Sequence, residues 1–447
     1  MASKYLNEFE ELNTTTDSIY DLGDNKVLII TSDGKNFTNW QDINDRRFFK
    51  KNFPKDMLND DIYESKYDMM DIMYLSEDLS DLAELDHKYQ NFESLKSIAA
   101  FNLTNKVNNM TSMFYECLSL EDVSGLKDFD TSNVEDMSRM FERCLLLADI
   151  SGLRNFDTSK VKFMNGMFSG CSSLEDLSPI ENWDTSQVIN ANRMFLNCSS
   201  LTDISSLSNW NTSKIDNMSW MFSSCTSLTD LSPLKDWDTS NLTTMWRMFH
   251  SCSALTDLSP LKDWDISSVK SMGELFMRCS SLKSLSGLEK WDVSNVENLG
   301  YIFSGIYPYY GGPKLMPWII SEETRFDSSL VDLSSLKSWN VSNVENMRGM
   351  FSGCTDLTDL YPLRDWDTSH AINMIGMFNS CTSLSDVSAL ANWDVSQVTH
   401  MDSIFGGCIS LTDFSPLDTW DVSNVENMER IFDDCPNIEV YPSWYKE

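Results

Sequence analysis

Histidine is scarce in this chain: four of 447 residues, His87, His250, His370 and His400. That works against histidine-based metal binding or acid–base catalysis. No C-x-x-C pair occurs, and there is no G-x-S-x-G, H-E-x-x-H, G-x-G-x-x-G or P-loop. Positive charge is also short: 34 Lys and Arg face 68 Asp and Glu, a net charge of −34. The resulting field repels phosphate, which argues against nucleic acid and anionic lipid as partners. No run of 18 apolar residues exists, so no membrane-spanning helix is expected. The first residues, MASKYLNEFEELNTTTDSIYDLGD, show no basic stretch followed by an apolar one, so no standard secretory signal is expected.

What the chain does have is a beat. Its eleven cysteines run from Cys117 to Cys435, and successive ones stand 27 residues apart except across Cys279 to Cys354, where the step is 75. That step is two periods plus a 21-residue insertion, roughly Ile306 to Phe326. A Phe stands three residues before each Cys, as in Phe114, Phe195 and Phe378, and Phe303 keeps the phase where the Cys is lost. An aromatic residue opens each unit, from Phe129 and Phe156 through Trp183 to Trp420. The unit reads W-D-T-S-x-V-x-x-M-x-x-M-F-x-x-C-x-S-L-x-D-L-S-x-L. Fixed period with fixed chemistry means stacked coils, each covering its neighbour.

Two conformations are readable within a unit. In Trp183 to Asn209, Val188, Ala191, Met194, Phe195 and Cys198 form a helical stripe. Ser132/Glu135, Ser294/Glu297, Ser342/Glu345 and Ser423/Glu426 have the spacing of a capping box at its start. The spacing therefore predicts a short helix, in part 3₁₀. A short strand around Leu201 to Ser205, followed by a turn, is expected next, paired in parallel between coils. The expected fold is an α/β repeat solenoid of about 12 coils of 27 residues, each a short strand plus a short helix.

Residues 1–94 read as an N-terminal cap or small α+β domain, with a strand at Lys26–Thr31 and a Ser-Asp-Gly-Lys turn after it. Leu79, Leu82 and Leu85 have the spacing of a degenerate repeat, and Leu95, Ile98 and Phe101 that of a truncated first unit. The solenoid then spans 95–447, with a C-terminal cap at about 436–447.

The unit, and above all its M-F-x-x-C-x-S-L core, resembles the BspA-like leucine-rich repeats, including mycoplasma-type repeats of unknown function. The resemblance covers roughly residues 95–445, although the leucines here follow L-x-x-L-x-x-L. It implies a leucine-rich solenoid and a surface-exposed role in adhesion or binding, without catalysis or cofactor. Cell-surface or extracellular placement is what the family implies, with cytoplasm or virion as the alternatives when no signal sequence is seen.

Each periodic column admits a structural and a functional reading. Stacked cysteines read as buried free thiols, because their Cβ vectors point the same way and the count is odd. The two Met columns read as core filler rather than a copper site. Asp122, Asp149, Asp176, Asp203, Asp230 and Asp257 share one phase. Carboxylates about 5 Å apart repel by roughly 0.8 kcal/mol in water, so either their own turn amides or bound cations must offset this. A second column, from Asp130 to Asp421, admits Asn211 and Asn340, which suits Asx turns.

Two places stand out as candidate binding sites. Between the Met columns, Arg193, Trp220 and Arg247 fall on successive coils, with Trp246 and His250 nearby, a cationic and aromatic patch on an acidic chain. Trp and Arg dominate binding hot spots, while mutual Arg–Trp stacking is the alternative. The insertion carries Tyr307, Tyr309, Tyr310 and Trp318 among prolines and glycines, which suits contact with a protein or glycan, or a loop folded back on the core. Carboxylates are abundant, but no pair is set apart, so no catalytic residue or metal ligand is assigned. The sequence thus points to a non-enzymatic binding scaffold whose acidic surface favours a basic or neutral partner. The alternative is a structural subunit of an envelope, virion or cytoskeletal layer, and solenoid ends offer a route to self-association.

Overall fold

The computed structural model describes residues 17–23, 26–31, 73–78, 85–91, 95–102, 106–306 and 328–446. The chain divides into two compact units, Met1–Lys214 and Ile215–Glu447.

The first unit opens with a four-stranded sheet in the order β1-β2-β3-β4. Its strands are β1 Asp17–Gly23, β2 Lys26–Thr31, β3 Met73–Asp78 and β4 Leu95–Asn102. β1 and β2 pair antiparallel, and β2, β3 and β4 run parallel. The β-branched run of β2 has the expected bounds. β4 passes the sheet into the repeats: Glu121 N–H donates to Lys96 O at 2.8 Å, and Ile98 N–H to Asp122 O at 3.3 Å. The array starts earlier than β4, because Leu85 and Tyr89 already occupy buried repeat positions. Leu79, Leu82 and the 32–35 turn lie outside the described residues.

In both units the 27-residue coils stack as the period requires, but the expected strand and helix take other forms. The strand shrinks to parallel bridges one residue wide, such as Asp122↔Asp149 in the first unit and Ser271↔Asn298 in the second. Where a coil keeps a helix it is 3₁₀ and lies in the second half, as at Ser178–Ile180 and Ser259–Leu261. The Val-Met-Phe-Cys stripe is a run of three-residue turns instead. In the coil of Met137, N–H groups of Met140, Glu142 and Cys144 return to the carbonyls of Met137, Arg139 and Phe141. The intervening donors, Met137, Arg139, Phe141 and Arg143, reach the next coil at Phe163, Asn165, Met167 and Ser169. A regular α-helix would turn these amides along its own axis and leave the coils untied.

The capping boxes do not form, since no α-helix follows them. Ser132 N–H donates to Asp130 Oδ1 at 3.1 Å, and Glu135 pairs with Lys162 Nζ at 2.8 Å on the next coil. The same Asx turn recurs at Asp292/Ser294, Asn340/Ser342 and Asp421/Ser423.

Like side chains stack on like. Phe114 and Phe141 lie 5.5 Å apart at 2°, and Phe249 and Phe276 5.8 Å apart at 3°. Indole N–H groups tie coils across this core: Trp183 Nε1 donates to Leu153 O at 3.1 Å, and Trp264 Nε1 to Leu234 O at 2.9 Å. Burying several such side chains in every coil, at roughly 1.5–3 kcal/mol each, is what holds the stack together.

Candidate binding face

In most of the described coils the run of turns places two residues in the left-handed region, four positions apart. In successive coils these include Arg139 and Arg143, Gly166 and Gly170, Arg193 and Asn197, Trp220 and Ser224, Arg247 and Ser251, and Glu274 and Arg278. The inward partners of these residues, such as Met218, Met221, Phe222 and Cys225, are fully buried. The left-handed residue therefore turns its side chain outward, between the two Met columns that the sequence singles out. For non-glycine residues this conformation costs roughly 1–2 kcal/mol each.

In the second unit the first of these columns builds a cluster. Trp220 N–H donates to Trp246 O at 2.9 Å, which sets the two tryptophans side by side on adjacent coils. Their rings meet edge to face at 5.3 Å and 83°. The Arg247 guanidinium lies 4.3 Å from the Trp220 ring centre and 4.7 Å from that of Trp246. Its Nη2 sits 2.7 Å from Glu274 Oε1 and 2.6 Å from Oε2. The Glu274 side chain is only 9% exposed and that of Arg247 20%. Their charges therefore cancel in a largely desolvated setting. His250 lies beside this cluster, 6.3 Å from Trp220, with Ser251 Oγ 3.0 Å from its Nδ1. Burial, then the cations Arg247 and Arg278, lower its pKa to about 4, so it is neutral at physiological pH. Tyr301 continues the column, with Arg348 5.6 Å from its ring centre.

Trp220, Trp246 and Arg247 are thus brought together, as the sequence suggests, but Arg247 is not the source of a free cationic charge. Arg193 is exposed and left-handed in the first unit. Arg278 and Arg348 belong to the same face and were not singled out by spacing, while Glu274, which the spacing puts in the column of Trp220 and Arg247, was not taken as a candidate. The signal for Glu274 was present, since it stands one period after Arg247 with opposite charge.

The remaining columns are satisfied internally. Asp176, Asp230 and Asp257 each accept the N–H and hydroxyl of the Ser two residues on, as in Ser232 N to Asp230 Oδ1 at 2.7 Å. A third column of this kind, which the sequence reading missed, includes Asp136, Asn190, Asn217 and Asn298. Each described cysteine is a buried free thiol. Cys144 and Cys198, for example, donate to Phe114 O and Phe168 O at 3.2 Å. Among the described residues no group of three or more His, Cys, Asp or Glu is placed to hold a metal ion, and no helix is long and apolar enough to cross a membrane.

Both ends of the insertion meet at Gly353. Ser328 N–H donates to Gly353 O at 2.9 Å, and a Cβ at Gly353 would stand 2.9 Å from Ile306. The described residues Ile306 and Ser328, on either side of it, thus lie against the same glycine of the second unit. Tyr307, Tyr309, Tyr310 and Trp318 themselves lie outside the described residues.

Among solved structures, the chain is similar to a leucine-rich cell surface protein from Faecalibacterium prausnitzii, at 14% identity, covering 98% of this chain and 96% of that one, with a TM-score of 0.42. It is also similar to a leucine-rich repeat protein from Bacteroides ovatus, at 16% identity over 74% and 82% of the two chains, TM-score 0.34. A third, from Eubacterium ventriosum, shares 12% identity over 88% and 93%, TM-score 0.34. No curated protein matches the chain. The family described as "Mycoplasma protein of unknown function, DUF285" matches at residues 58–151, 109–230, 202–310 and 319–444. Those four matches span well over half of the sequence, and the chain belongs to that family.

Proposed function

We propose that this chain is a non-enzymatic scaffold that recognises a protein partner through the outward turn face of its coils, with Trp220, Trp246 and Arg247 as anchors. One observation carries the reading. At the left-handed position where Gly166, Gly349 and Gly376 fit without cost, four successive coils hold Trp220, Arg247, Glu274 and Tyr301. Bulky residues kept in a strained conformation on an outward face are better accounted for by recognition than by folding. Their rings and guanidinium are already fixed by mutual stacking, so little side-chain entropy is lost on binding.

The insertion, whose sequence carries Tyr307, Tyr309, Tyr310 and Trp318, is the second contact region of this reading. Surface display and adhesion, which the BspA-like resemblance implies, complete the reading. The experiment is a binding measurement against the captured partner, using the intact chain and the Trp220→Ala/Trp246→Ala/Arg247→Ala variant. Loss of binding with an unchanged circular dichroism spectrum is expected. Undiminished binding would remove the face from the account, and deleting Ile306–Phe326 tests the insertion separately.

A further inference from the structure

The corner that follows the buried thiols is polar in most coils, with Ser or Thr directly after the Cys, as at Ser172, Ser199 and Thr226. The coil of Cys144 instead carries Leu145 and Leu146, 40% and 46% exposed. Among the described residues of the first unit no other large apolar side chain is so exposed. Ser172 Oγ and Ser173 N–H both donate to Leu145 O, at 3.0 and 3.2 Å, so the next coil fixes this corner. Leu118, half-buried, stands one period before Leu145.

Carboxylates rim these leucines. The turns 118–122, 145–149 and 172–176 read LSLED, LLLAD and SSLED, five acids and no cation. Asp122, Asp149 and Asp176 accept the amide of the Ser two residues on. Glu121 and Glu175 are exposed, and among the described residues neither carboxylate has a hydrogen bond or an ion pair. Lys96, whose carbonyl accepts the Glu121 amide, makes no ion pair with that carboxylate, and Arg143 is engaged by Glu116 at 2.7 Å. Glu121 and Glu175 stand one coil to either side of Ala148, whose N–H donates to Glu121 O at 3.1 Å. At about 4.8 Å per coil they are about 10 Å apart, with Leu145 and Leu146 on the coil between.

Such a surface suits a segment that sets apolar side chains between cations. The chain itself contains one. Residues 46–55, outside the described residues, read RRFFKKNFPK: five cations, three Phe and no acid, on a chain of net charge −34. Arg47 and Lys50 enclose Phe48 and Phe49, and three extended residues span about 10 Å, the separation of the two glutamates. The run belongs to the connection between β2, which ends at Thr31, and β3, which begins at Met73. β3 pairs with β4 and β4 is bonded to the 118–122 turn, so Leu145 stands about 15 Å from β3. The 18 residues from Lys55 to Met73 can reach about 60 Å, which is ample.

We propose that residues 46–55 of this chain occupy the Leu145/Leu146 corner, with Phe48 and Phe49 on the leucines and Arg47 and Lys50 against Glu121 and Glu175. The contact fastens the long β2–β3 connection to the array and takes the exposed leucines out of water. It concerns the first unit alone and is independent of the Trp220 face.

Zero-length carbodiimide coupling of lysine amines to carboxylates, on the full chain at low ionic strength, is the test. Mass spectrometry of the monomer fraction should find Lys50 or Lys51 joined to Glu121 or Glu175 in preference to other carboxylates. Added salt should weaken the link. Leu145→Ser/Leu146→Ser, which installs what the next coil has at Ser172 and Ser173, should lose it with an unchanged circular dichroism spectrum. Phe48→Ser/Phe49→Ser should lose it as well. Should the leucine variant alter the spectrum, the phenylalanine variant and the salt series decide alone. Absence of the link overturns the proposal, and so does a link that spreads over carboxylates throughout the array or survives the phenylalanine variant. Linkage confined to covalent dimers would give the corner to a second copy and overturn the contact within one chain.

Discussion

The ring of Tyr301 occupies the space that a side chain at Gly349 would need: a Cβ there would lie 2.2 Å from Tyr301 Cε1 and 2.3 Å from Cδ1. Gly349 also has φ +58, which disfavours any other residue. Gly349→Ala therefore meets two separable penalties. The left-handed conformation costs roughly 1–2 kcal/mol, and displacing the tyrosine loses its contact with Arg348. In a double-mutant cycle by urea unfolding, Tyr301→Ala should rescue the second penalty and leave the first. A simple sum of the two single effects would show that the ring and the glycine are not coupled.

Trp220→Gly separates stability from recognition. The substitution removes a left-handed strain of roughly 1–2 kcal/mol and deletes a cation–π contact and an edge-to-face pair of comparable total size. Unfolding free energy should thus change by no more than about 1 kcal/mol. Partner binding should nevertheless be lost. A large destabilisation would instead mark Trp220 as a structural residue, and the functional argument from strain would fail.

The legible part of the fold was what repeats. The spacing of Phe, Trp and Cys placed the buried columns correctly, and the run Lys26–Thr31 gave a strand with its true bounds. The helix was misread because a three-residue turn and a helical turn bring nearly the same positions inward. The distinguishing signal was glycine recurring four residues apart, at Gly166/Gly170 and Gly349/Gly353, where positive φ is required. At the site, tryptophan and arginine drew attention by type. The neutralisation of Arg247 by Glu274 needed the stacking geometry.

The Asx columns give a pH signature. The Ser hydroxyl and then its amide, two residues on, hold Asp157, Asp265 and Asp367 below the usual carboxylate range. A depressed folded pKa adds stability above the unfolded value, about 3.9, and that stability disappears as pH falls through the folded value. Converting these three residues to Asn keeps the acceptor, as Asn211 does for Ser213 N–H at 3.1 Å. Stability at pH 7 should stay close to that of the parent chain, and the loss below about pH 4 should become shallower. Single Ala replacements should cost about 1 kcal/mol at pH 7. An Asn variant with an unchanged acid transition would show that these carboxylates do not drive it.

His250 shifts in the opposite chemical sense with the same outcome. Burial, Arg247 and Arg278 disfavour its cation, lowering its pKa to about 4. The unfolded chain binds that proton more readily, so stability falls as pH drops from about 6.5 towards 4. The imidazole resonances should titrate near pH 4, and Arg278→Gln should move that midpoint upward by removing one cation. A midpoint near 6.5 in the native chain would mean that neither burial nor the guanidiniums act on it.

The cysteine column should report how the stack opens. Thiolate is the reactive form, and burial lifts Cys279 and Cys354 to about 12 and several others further. Cys435, in the last coil, is the least protected, at 8% exposure, while Cys252 and Cys381 are fully buried. A thiol reagent at neutral pH should therefore label Cys435 first and reach the rest of its unit only through opening of coils. Each coil is held by its neighbours alone, so opening from the end requires fewer contacts to break than opening at an interior coil. Labelling followed by mass spectrometry should show Cys408 ahead of Cys381, with Cys252 far behind. Early modification of Cys252 while Cys408 stays protected would contradict neighbour-by-neighbour opening and point to a single cooperative transition or to a break within the array.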